Sequence, residues 1–239
     1  MRKAHDGNPL LAVAGNHQLG YGWPMSLFSK HPVSLRLPVL VGAFSLLASV
    51  ALAAPQSFDF NDPKGVNNIQ FSLDAPLEAI TGTANGITGT VNFDPVAPAA
   101  TTGRIVLETK SLNVGNSLMK DHLQGPKWLD VGQYPTIAFE AKKLANVRAQ
   151  GAQVLAVLTG TLTVKGVTKE LTVPVSFTYL ADKLGARLGD PKIKGDLLVL
   201  RATFEINRSE FNILPGLATD KVADTIQLSL AIAGAAPQK

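Results

Sequence analysis

Residues 154–179, VLAVLTGTLTVKGVTKELTVPVSFTY, are written in twos. Val154, Ala156, Leu158, Gly160, Leu162 and Val164 share one parity, while Thr159, Thr161 and Thr163 take the other. Past Lys165-Gly166, the residues Leu171, Val173, Val175, Phe177 and Tyr179 alternate with Thr172, Pro174, Ser176 and Thr178. A period of two with one apolar face is the pattern of half-buried antiparallel strands. Lys-Gly between the runs supplies a tight turn. The stretch reads as a long β-hairpin.

The same pattern continues on both sides of it. Strands are expected at 57–60, 68–73, 86–93, 104–113 and 135–139, and after the hairpin at 198–207 and 224–233. Turn chemistry separates them: Asn61-Asp62-Pro63-Lys64-Gly65, a Pro/Ala-rich loop from Asp94-Pro95 to Thr102, and a Gly- and charge-rich loop over 181–196. Gly86 and Gly89 suggest bends of the kind that close barrels. About eight or nine two-faced strands with little helix predict a sandwich or a barrel. Closing into a barrel buries the apolar face on itself and leaves no exposed edge. The expected fold is all-β, an extended eight-stranded antiparallel β-barrel with one or two short helices. Eight strands leave room either for packed side chains or for one elongated ligand, and periodicity does not choose between them.

One segment breaks the alternation. Residues 116–139, NSLMKDHLQGPKWLDVGQYPTIAF, begin with a helix cap at Asn116 or Ser117 and apolar positions at Leu118, Met119 and Leu123. Gly125-Pro126 stops the helix, Trp128, Leu129 and Val131 form a second turn, and Tyr134-Pro135 leads into a strand. The segment holds the only histidine after residue 53, His122. One histidine without cysteine does not build the usual zinc or redox-metal sites. There is no Gly-x-Ser-x-Gly elbow, and Asp121, Asp130, Asp220 and Asp224 are scattered near strand ends, where carboxylates are usually solvated. The expectation is a binding protein rather than an enzyme, with a hydrolase built on His122 and a neighbouring carboxylate as the weaker rival. The segment reads better as a lid between two barrel strands.

The N-terminus reads differently from the rest. Basic Lys30 and Arg36, an apolar run over 37–53 and the small-residue end Ala51-Leu52-Ala53 make a secretory signal cleaved before Ala54. Residues 1–24 do not resemble a signal's start, so the expected initiator is Met25 rather than Met1, with 1–53 an over-extended start plus signal and 54–239 one domain. Pro38 and Gly42 interrupt a run that barely reaches spanning length, and no stable membrane insertion is expected after cleavage. The 186 residues that remain carry 18 Lys+Arg against 17 Asp+Glu. That leaves no basic stripe for nucleic acid. The absence of cysteine means an exported chain that relies on its core.

The ordered blocks His122-Leu123, Trp128-Leu129-Asp130-Val131, 134–139, 89–95, 158–169, 204–211 and 222–228 together resemble the YceI-like family of secreted proteins. The resemblance implies a lipocalin-like barrel holding a polyisoprenoid or isoprenoid quinone in a long apolar tunnel, in a periplasmic or secreted bacterial protein. It implies that inward residues line that tunnel: Phe71, Phe93, Leu118, Met119, His122, Leu123, Trp128, Leu129, Tyr134, Phe139, Leu162, Phe177 and Phe204. This chain has Met119-Lys120 where many members have Arg-Asp, Trp128-Leu129 where they have a Phe pair, and 64–68 in place of their basic contacts. The expected role is a carrier of a long apolar lipid, with no cofactor beyond that ligand; a homodimer is compatible with it. The competing reading is a filled barrel used for protein contacts.

Overall fold

A computed structural model describes residues 55–238. The start-codon and signal readings therefore lie outside the described residues. Eleven strands form one sheet. They are β1 (Gln56–Asp59), β2 (Asn68–Asp74), β3 (Ala79–Ala84), β4 (Ile87–Phe93), β5 (Thr102–Glu108), β6 (Asn113–Val114), β7 (Thr136–Gln150), β8 (Gln153–Val164), β9 (Val167–Leu180), β10 (Gly195–Asn207) and β11 (Thr225–Pro237). Two short α-helices interrupt them, α1 (Ser117–Gln124) and α2 (Leu184–Leu188).

Every pairing is antiparallel, and the order β1-β4-β5-β7-β8-β9-β10-β11 closes on itself where Asp59 of β1 meets Ala235 of β11. This is the eight-stranded barrel. β2, β3 and β6 extend three of its staves past breaks in the chain, since β2 pairs with both β11 and β3, and β3 pairs with β6. The eight staves close, and the edge left open is at β3 and the two-residue β6, which pair only through Gly82 and Thr83.

The breaks have local causes. Between β1 and β2 the chain leaves the ladder, and the buried side chain of Asn67 fills the gap. Its amide donates to the carbonyls of Phe60 (3.2 Å) and Ala233 (3.0 Å), and its oxygen accepts from the Ala233 N–H at 2.8 Å. One side chain thus replaces a missing strand residue. Beside it the Asp62 carboxylate accepts from the backbone N–H groups of Lys64, Val66 and Asn67 and from Arg187 at 3.0 Å. Burial pushes the Asp62 carboxyl upward, but these N–H donors and the guanidinium outweigh it and hold the group below its ordinary range. In β4, Gly89 has φ +125°, and a Cβ there would come 2.1 Å from the Arg104 carbonyl, so only glycine makes this bend.

The β8–β9 hairpin matches its sequence reading, turning at Lys165 and Gly166, both with positive φ as a type I′ connection requires. Elsewhere the structure departs from expectation. The strand expected over 104–113 ends at Glu108, and a 3-10 turn over Thr109–Ser111 separates it from β6. The strand expected over 135–139 runs on to Gln150: register shifts between Ala141 and Lys143 and between Ala145 and Arg148 interrupt its pairing and blur the period of two. β3 went unread because AITGTA offers one large apolar residue in six positions.

Candidate functional site

The upper end of the barrel is the one carrying the β2–β3 turn, the segment 115–135, the β8–β9 turn and the loop 208–224. The Asn116 side chain caps α1 by accepting from the Met119 N–H at 3.1 Å, and the chain stops helical geometry at Gly125. Met119, His122 and Leu123 then fall on one helix face, as the i, i+3, i+4 rule requires. With Trp128 and the buried Leu129 they face the barrel interior.

Beneath them lies a cavity of about 430 Å³. Its wall is hydrocarbon: Phe71, Leu73, Ile105, Leu107, Phe139, Leu158, Leu162, Val175, Phe177, Phe204, Ile226 and Leu228 are among the lining residues. Ala84, Ala141 and Ala202 also line it, and these small inward residues help leave the middle of the barrel hollow, while Gly103 lets β5 approach β4, since a Cβ there would come 2.7 Å from the Thr90 carbonyl. Glu78, His122, Ala218 and Lys221 both line the cavity and are exposed, which marks its mouth between the β2–β3 turn, α1 and the loop 208–224.

The deep polar groups of the wall are already satisfied. Thr101 donates to the Pro98 carbonyl at 2.6 Å. Arg208 is fully buried, and all five of its N–H positions are used. Nε donates to Ala223 O (3.1 Å), Nη1 to Ile213 O (2.9 Å) and Leu214 O, and Nη2 to Leu217 O (2.6 Å) and Val222 O (3.1 Å). The guanidinium lies 6.0 Å from the centre of the Trp128 ring. One residue therefore nails down the loop that rims the mouth and supports the tryptophan under the lid. Asp224 holds the turn that carries it, accepting from Ser209 N–H (3.0 Å) and Oγ–H (2.7 Å). Lys165 of the β8–β9 turn donates to the carbonyls of Asn212 (3.1 Å) and Lys127 (3.3 Å), tying three loops of this end together.

The lower end is closed by aromatic rings. Phe93 stacks on Phe177 at 5.5 Å and 19°, and Phe58 meets Tyr179 edge-on at 6.3 Å. The Tyr179 hydroxyl donates to buried Asp196 at 2.7 Å, and Asp196 also accepts from the Asp182 N–H at 2.9 Å. Burial, then the bond and charge of Asp196, push the Tyr179 hydroxyl up to about 12.

Most of the residues expected in the tunnel do face the cavity: Phe71, Met119, His122, Leu123, Trp128, Leu129, Phe139, Leu162, Phe177 and Phe204. Three do not, and each has a reason. Leu118 is 62% exposed because it precedes Met119 by one residue, about 100° around α1. Tyr134 packs over the β8–β9 turn, its ring edge 2.8 Å from where a Cβ of Gly166 would stand. Phe93 belongs to the plug below the cavity. Sequence reasoning also missed Arg208, since nothing in Phe204–Phe211 signals that five carbonyls will converge on it. Among the described residues the ion pairs are Lys142–Glu170 and Arg187–Asp62, and His122 enters neither; no cluster of metal-ligating side chains occurs there.

An antiparallel eight-stranded barrel with an apolar chamber open at one end defines the class of protein. Residues 63–233 match the YceI-like domain, and the chain belongs to that family. A UPF0312 protein of Yersinia enterocolitica is 28% identical over 199 residues, covering 83% of this chain and 95% of its own. Among solved structures, BcnA of Burkholderia cenocepacia superposes with a TM-score of 0.58 at 23% identity, over 70% of this chain and 95% of that one. A polyisoprenoid binding domain from Saccharophagus degradans, described as implicated in plant cell wall breakdown, gives 0.55 at 10% identity, over 76% and 99% of the two chains. At these identities the two structures share the fold with this chain.

Proposed function

We propose that the protein is an exported carrier that sequesters one long apolar lipid, a polyisoprenoid or an isoprenoid quinone, inside the barrel. The observation that supports this most is the cavity itself: about 430 Å³ of hydrocarbon-lined space whose deep polar groups already have partners. That volume falls within the roughly 300–1,000 Å³ of small-molecule sites. Left to water it is costly, because hydrocarbon walls give the water inside no hydrogen-bond partners. A hydrocarbon chain offsets that cost, and each buried CH₂ contributes about 0.8 kcal/mol without any polar anchor. The Saccharophagus degradans neighbour, named as polyisoprenoid binding, lends the same reading support. Export rests on the signal-like residues 25–53, and a periplasmic or secreted location follows from it.

A filled barrel used for protein contacts fits poorly with the hollow middle. The carrier reading is tested through Trp128, the one tryptophan after residue 54. Titrating purified protein with geranylgeraniol should shift Trp128 emission saturably at one ligand per chain. An emission that does not respond to any prenyl chain while the protein remains folded would defeat the reading.

A further inference from the structure

The cavity ends abruptly, and its end is built. Val91 lines it, yet Phe93, two residues on and facing the same way, does not. Phe177 lines it, and the Phe93 ring lies stacked on the Phe177 ring from the side away from the chamber. Tyr179 packs against the Phe58 and Phe93 rings, 6.5 Å from Phe93, and is held by its hydrogen bond to Asp196. Phe58, Phe93 and Phe177 are all nearly inaccessible, so the plug has no slack through which a chain end slips past. Interiors packed in this way resist intrusion because every ring already fills its space.

From this we infer that the Phe93–Phe177 stack, fixed through Tyr179 to Asp196, is a chain-length stop, and that the ligand is a single prenyl or acyl chain whose tail ends against it. The inference rests on the carrier reading above and adds the size of the cargo. Between Arg208 and Leu200 the lined wall runs about 26 Å, taking roughly 3.3 Å per strand residue. Strands tilted by about 40° to a barrel's axis leave about 20 Å of that as depth. An extended chain advances about 3.5 Å for every three bonds, so this depth takes roughly seventeen bonds, the backbone of about four isoprene units. A longer chain keeps its surplus outside the mouth, where water removes the gain.

The test uses two variants with opposite effects. Phe93→Ala removes the stop, and Ala202→Phe raises the floor from a cavity-lining position. Purified wild type and both variants are offered an equimolar mixture of geraniol, farnesol, geranylgeraniol and solanesol, and the bound chains are identified by native mass spectrometry. Wild type should favour geranylgeraniol over solanesol by at least about tenfold. Phe93→Ala should move the preference toward the longer chain, and Ala202→Phe toward geraniol and farnesol. If Phe93→Ala does not fold, the shortening by Ala202→Phe decides alone. The same profile in every folded protein overturns the stop while leaving the carrier reading intact. No bound chain in wild type overturns both.

Discussion

Arg208 carries a full charge into a hydrocarbon wall, and its five hydrogen bonds all end on neutral carbonyls. Arg208→Leu would strand those carbonyls of the 213–223 loop, and with about 1–3 kcal/mol for each buried acceptor left without a donor, a loss of several kcal/mol is expected in urea unfolding. Arg208→Lys keeps the charge but not the planar fork, and should recover only part of it. The other telling residues are acids and a phenol. Asp62 and Asp196 are both held below the ordinary carboxylate range, the donors around them outweighing the upward push of burial. Their contribution is therefore complete above the unfolded value of about 4 and is lost as pH falls through their lower folded values. Tyr179, pushed up to about 12, works on the other side. Its contribution is complete below the unfolded value of about 10 and disappears as pH rises through about 12. Thermal melts across pH should show both limbs, and Tyr179→Phe should remove the alkaline one. None of these roles was legible beforehand, because a residue's type does not say which carbonyls or amides will surround it.

Elements were more readable than residues. The β8–β9 hairpin was plain because long alternation survives in both arms, of 12 and 14 residues, only if neither is bulged, and the paired register runs unbroken from Val164–Val167 to Gln153–Thr178. β7 hid its second half behind two bulges, and the broken stave between β1 and β2 hid the part played by Asn67. Asn67→Ala removes three buried hydrogen bonds and leaves Ala233 N–H unpartnered, for an expected loss of about 2–4 kcal/mol. Amide exchange should report faster opening at Ala233 and in β1 than in β9. The lid of α1 and Trp128 was legible as a break in the alternation, and its inner face as the 119, 122, 123 spacing. Trp128→Ala should cost ligand retention more than folding: a dissociation rate raised about tenfold or more corresponds to one lost contact of about 1.4 kcal/mol. An unchanged rate would mean the tryptophan supports the loop through Arg208 and nothing else.

At the scale of the whole molecule, closure followed from two-faced strands with nothing else to cover them. Hollowness did not follow. Inward positions read as apolar whether they hold Phe93 in the plug or Ala202 beside the chamber, and alanines from three different strands line the void where larger side chains would fill it. Only the assembled barrel brings Ala84, Ala141 and Ala202 to the wall of one chamber. Filling that space from outside should stabilise the barrel by about 2.7 kcal/mol when a prenyl ligand is present at a hundred times its Kd, seen as a raised Tm. The most direct measurement is native mass spectrometry of the protein as purified from bacterial cells, with the bound material extracted and identified. One prenyl or acyl chain per barrel is expected, carried through purification with the folded protein. A folded barrel of bare protein mass that also takes up no added prenyl lipid would contradict it.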